Sequence, residues 1–182
     1  MLFAAHAQVN AGSREGVTAF FIAAQDDRPE LMRALVDAGA DINAATAAGK
    51  TPPMAASGGG AESPVNILID AGVDTNAHTP DGTTALILAA QGGHSNICYK
   101  LIHARAEENA RAGALHRAAL MFAAEAGKID AVRTLLDNGA DVNAKTNETP
   151  GRTALDLANA NQHEDVSATL VAAGARSGLG AQ

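Results

Sequence analysis

The side chains best suited to bind metals or attack electrophiles are six histidines and one cysteine. His6, His78, His94, His103, His116 and His163 include no two residues four apart with a carboxylate in support, the arrangement a helical metal site needs. Cys98 stands in Ile97-Cys98-Tyr99-Lys100-Leu101 with no neighbouring base to take its proton, which describes a packed thiol rather than a nucleophile. A single thiol permits neither an internal disulfide nor a thiolate zinc cluster. Gly58-Gly59-Gly60 has the freedom of a phosphate-binding loop, but no strand pattern precedes it and no Gly-Lys-Ser/Thr follows. No nucleophile elbow is visible either. The sequence therefore offers no catalytic residue, no cofactor site and no metal site.

Composition narrows the partners. Lys and Arg number 13 against 20 Asp and Glu, for a formal charge of -7, whereas phosphate-backbone binding needs clustered cations. With no tryptophan and one tyrosine, Tyr99, there is no aromatic platform for single-stranded bases. Nucleic acid is not an expected partner. No apolar run reaches the roughly 18 residues of a membrane span, so a membrane role is not expected. Ala5-His6-Ala7 has the form of a cleavage site but follows no basic leader, and a complete signal peptide is not expected. The compartment stays open.

What the sequence does carry is a repeat. Gly16, Gly49, Gly82, His116 and Gly151 open similar stretches at spacings of 33, 33, 34 and 35 residues. Gly39-Ala40-Asp41-Ile42-Asn43-Ala44, Gly72-Val73-Asp74-Thr75-Asn76-Ala77 and Gly139-Ala140-Asp141-Val142-Asn143-Ala144 recur in one register. The longer spacings arise from extra residues within 110–115 and 145–150, which places them in loops and keeps the helices in phase.

Each unit reads as helix, turn, helix and extended loop. Thr51-Pro52 suits a helix start, with the hydroxyl accepting an orphan N–H and the proline having none to lose. In the first unit a second helix starts near Pro29 and sets Leu31, Ala34, Leu35 and Ala38 on one apolar stripe. Gly39 ends it in the left-handed conformation, and the Asp and Asn that follow hold a tight turn. Such a unit covers its apolar face only by stacking on neighbours.

These residues resemble ankyrin repeats. Thr51-Pro52-Pro53-Met54-Ala55-Ala56 and Thr84-Ala85-Leu86-Ile87-Leu88-Ala89-Ala90 are similar to the family's first-helix motif, and Gln91-Gly92-Gly93-His94 to its inter-helix turn. The resemblance implies an all-α solenoid of helix-turn-helix units joined by β-hairpin-like loops. The units span 16–48, 49–81, 82–115, 116–150 and a capping repeat 151–176, with 1–15 a remnant of an upstream repeat and 177–182 a frayed tail. Phe21, Met54, Ile87, Met121 and Asp156 replace the family's usual histidine, which puts its inter-loop hydrogen bonds in doubt. The second unit reads as the weakest, with Pro53 at a core position, the glycine triplet at its turn and Pro64 early in its second helix. Arg105 and His116 replace glycines. His94 and His163 share the inter-helix turn position and are read as structural.

The resemblance also implies a non-enzymatic scaffold that binds a protein partner through the concave face and hairpin tips. By register, the candidate partner-binding residues are Gln25, Asp26, Lys50, Asp81, Thr83, Gln91, Arg117, Glu125 and Arg152. Lys50, Arg117 and Arg152 suggest a basic stripe for a partner with acidic groups, while Asp37, Asp70 and Asp137, with Glu30, Asp130 and Asp165, place acid on the outer helices. Both sets also read as ordinary solvated faces. The alternative is a structural spacer or stabilising subunit of a larger assembly. Phe20, Phe21 and Ile22, with Leu2 and Phe3 upstream, suggest an uncovered apolar end, met by self-association or by missing upstream repeats.

Overall fold

A computed structural model describes residues 8–179, and the expectations placed on Leu2, Phe3 and His6 lie outside that span. Helices form in pairs along the described chain: α1 (Ala19–Gln25) with α2 (Pro29–Asp37), α3 (Pro52–Gly59) with α4 (Glu62–Asp70), and α5 (Ala85–Gly92) with α6 (Ser95–His103). A two-residue hairpin, β1 (Arg111–Ala112) and β2 (Arg117–Ala118), leads into α7 (Ala119–Glu125) and α8 (Ile129–Asp137), and α9 (Ala154–Ala160) and α10 (Glu164–Ala172) complete the series. Odd-numbered helices pack on the next odd helix and even on even, so the pairs stack as an all-α solenoid with one continuous core.

The helix starts follow from threonine. Thr18, Thr84 and Thr153 each precede an odd helix with extended backbone and accept an N–H from the third helical residue. Thr51 occupies the same place before α3, and Pro52 takes the first helical position, yet its hydroxyl makes no capping bond and stays buried without a partner. Consecutive prolines remove the first two donors, and the third is out of reach. Pro64 is tolerated as the third residue of α4, where the backbone N–H has no intrahelical acceptor in any case.

The stripe on α2 differs from expectation. Met32 and Leu35 are its buried residues, while Leu31 is 42% exposed and Ala34 is exposed too. The register explains Leu31: Pro64, Ile97, Ala131 and Val166 hold the same position in later pairs and are all buried, because each later pair has a preceding pair against that face. Phe20 and Phe21, expected at an uncovered apolar end, are buried, while Ile22 and Leu31 are exposed.

Loop chemistry ties each pair to the next. Asp41, Asp74 and Asp141 each accept an N–H from the asparagine two residues on. Those asparagines reach across the seam: Asn76 Nδ2 donates to the Arg105 carbonyl at 2.9 Å while its Oδ1 accepts from the Glu107 N–H at 2.8 Å. Asn10 and Asn143 make the same double clamp, and Asn109 makes half of it. Asn43 makes no such bond among the described residues. The carbonyl of Arg105 is presented from φ +67°, the left-handed conformation that glycine adopts at the ends of α2 and α8.

At the far end, Asp156 does the work of holding the next loop. Its carboxylate accepts from the Ser177 hydroxyl at 2.6 Å and the Gly178 N–H at 2.7 Å, and it completes a capping box with Thr153. Ser177 and Gly178 are therefore anchored, against the expectation of a tail that frays from residue 177.

Candidate functional site

The hairpins and odd helices share one face, which carries a groove of about 590 Å³ between α1, α3 and α5. Phe21, Met54, Ala55 and Leu88 give it an apolar floor, and Glu15, Gln25 and Lys50 a polar rim. A smaller hollow of about 420 Å³ continues from it through Ala48, Lys50, Met54 and Leu88 to Thr79, Asp81 and Thr83. Of the residues singled out from the sequence, this strip brings together Gln25, Lys50, Asp81 and Thr83. Asp26 and Gln91 are exposed near the ends of α1 and α5 and line neither hollow.

Arg117, Glu125 and Arg152 are placed differently. Arg117 donates to Glu125 at 2.6 Å and lies 4.5 Å above the Phe122 ring. Arg152 donates to Glu148 at 2.6 Å, and that hydrogen bond holds the Glu148 carboxyl below its usual range. Lys50 alone of the three cations of the expected basic stripe forms no ion pair among the described residues. Asp81 and Thr83 bond to each other, and hydrogen bonds from Thr79 and Thr83 hold the Asp81 carboxyl low. The six acids assigned to the even helices, including Asp37, Asp70 and Asp137, are exposed.

The groove exists because α3 ends in glycine. The neighbouring odd helices α1 and α5 carry Gln25 and Gln91 in the register that Gly58 occupies, and α7 and α9 carry Glu125 and Ala160. The triplet is not the loosened turn that the sequence suggests: Gly58 and Gly59 lie inside α3 and Gly60 caps it with φ +77°. The missing side chain at this register was visible; that it opens between Gln25 and Leu88 was not.

The other reactive candidates are enclosed. Cys98 is fully buried, and burial pushes its thiol up to about 12, so it carries no thiolate near neutral pH. The His94 ring packs on Gly60 and Gly92, and His163 packs on Gly127 while bonding to the Glu125 carbonyl at 3.0 Å, so both fill seams between helix pairs. His78 and His116 line one shallow hollow with Arg111, whose guanidinium donates to the carbonyls of His116 and Lys145. No group of three metal-ligating side chains is found among the described residues.

Comparison with known families accounts for this architecture. A family model described as ankyrin repeats (3 copies) matches residues 1–78, 20–112, 54–146 and 108–179 in overlapping stretches. No curated protein matches the chain. Four matches spanning nearly the whole length, on a solenoid of stacked helix pairs joined by hairpins, show that the chain belongs to the ankyrin repeat family.

Proposed function

We propose that this protein is a non-enzymatic scaffold that binds a protein partner across the concave face, centred on the first three helix pairs. Ankyrin repeats generally mediate protein–protein interactions and are typically non-catalytic. The observation that carries the reading for this chain is the apolar groove over Phe21, Met54 and Leu88, rimmed by the unpaired Lys50. Interfaces draw their affinity from such anchor pockets surrounded by polar contacts. A photo-crosslinking residue at position 83 or 48 of the full chain, expressed in source cells, should capture a protein, while one at position 70 or 137 on the even helices should not. Capture confined to 70 and 137 contradicts the reading.

A second reading, a stabilising subunit of a larger assembly, rests on Leu31. Its exposure at a position buried in every later pair leaves a face suited to another helix pair or a second copy. Sedimentation at rising concentration tests it: association lost in Leu31→Glu supports the reading, and identical monomers of wild type and variant end it.

A further inference from the structure

The structure assigns the opening at Gly58 as a socket for one leucine-sized apolar side chain of a partner segment that sets an acidic residue against Lys50. This rests on the scaffold reading above and specifies the chemistry of the same face.

Three observations carry it. Neither Gly58 nor Gly59 is required by the fold: both lie in α3 without positive φ, and an added Cβ would meet Leu88 Cβ at 3.7 Å or the Gln25 carbonyl at 3.6 Å, ordinary contact distances. Glycine inside a helix is destabilising relative to alanine, so two of them weaken α3 without relieving any clash. What their bareness does is leave the groove open over the half-buried Ala55 and Leu88, with Met54 packed beneath them.

The rim supplies a main-chain acceptor. Along the hairpin tips the carbonyls of Glu15, Asp81 and Leu115 accept N–H bonds from Ala47, Gly113 and Asn147 at 2.7, 2.8 and 3.2 Å. In the same register Ala48 faces Pro80, which has no N–H, so its carbonyl accepts nothing among the described residues. A partner backbone N–H fits there.

Charge selects the flanking residue. Lys50 is exposed beside the groove without an ion pair, and Glu15 stands on the rim as well. A carboxylate on the partner is attracted by Lys50 and repelled by Glu15 on the rim and by Asp81 in the adjoining hollow, which confines it to the Lys50 ammonium and orients the segment.

The test is selection of a displayed random-peptide library on the full chain. Enriched peptides should pair a Leu, Met or Phe with a nearby Asp or Glu. Their affinity should fall about tenfold or more on Gly58→Gln, which restores the side chain of the neighbouring registers, and several-fold on Lys50→Glu. Gly58→Gln should melt about 2 °C higher than wild type, showing that the loss is not unfolding. Should Gly58→Gln melt lower, Gly58→Ala gives the same reading with a smaller side chain. Enriched peptides that bind the Gly58 variants as tightly as wild type, or that lack the apolar–acidic pair, overturn the socket and leave the scaffold reading standing. Failure to enrich any peptide above an unrelated helical protein counts against both.

Discussion

The Arg117 guanidinium lies 2.6 Å from the Glu125 carboxylate and 4.5 Å above the Phe122 ring, so this cation is engaged within its own helix pair. Exposed ion pairs contribute up to about 1 kcal/mol and a cation–π contact a similar amount. Arg117→Ala should therefore destabilise the fold by about 1 kcal/mol, whereas Lys50→Ala should stay within about 0.5 kcal/mol of wild type. Chemical denaturation of both variants checks this, and equal effects would count against the division between structural and free cations.

The second helix pair should open first. Thr51 before α3 makes no capping bond, the two buried side-chain atoms without hydrogen-bond partners among the described residues, Thr51 Oγ1 and Ser57 Oγ, both belong to this pair, and the Asn43 clamp and the Pro80 tip bond are both missing between the loops that flank it. Solenoid stability is roughly a sum of repeat and seam contributions. Native-state hydrogen exchange should find α3 and α4 less protected than α5 through α8. Highest protection in α3 contradicts this.

Asp156 makes the C-terminal pair sensitive to acid. Burial opposes its charge, but hydrogen bonds from Ser177, Thr153 and Gly178 outweigh it and hold the carboxyl below its usual value of 3.8. Because folding lowers this pKa, the stabilisation is full at neutral pH and is lost as pH falls below about 4. Asp156→Asn should cost about 1–3 kcal/mol at pH 7 and less as the pH drops towards about 2. Melting curves of both proteins across this range test it; a constant gap would refute the linkage.

Arg105 has φ +67° where glycine ends other helices. A left-handed non-glycine residue costs about 1–2 kcal/mol, partly offset by glycine's greater freedom in the unfolded chain. Arg105→Gly should gain about 0.5 kcal/mol in equilibrium unfolding, and a loss would show that the Arg105 side chain contributes more than its backbone strain.

The repeat was legible because it rests on local chemistry. Thr18, Thr84 and Thr153 cap within three residues, and Asp41, Asp74 and Asp141 bond two residues on, so spacing alone reveals them. The exposure of Leu31 is not legible because the pattern of one helix in isolation cannot tell a face packed within its pair from one that faces along the stack. The Asp156 anchor spans 21 residues to Ser177, and the Arg117 pair joins a hairpin strand to the end of the following helix. The groove depends on a side chain that is missing from α3 between its two neighbours α1 and α5, so only packing exposes it.

The most direct test of partner binding by this face is amide chemical-shift mapping of the isotope-labelled full chain during titration with a peptide selected on it. Binding in the groove gives its largest shifts at Val17, Lys50, Ala55, Gly58 and Leu88. Shifts clustered at Asp70, Tyr99 and Asp137 on the even helices, with the groove unchanged, would contradict it.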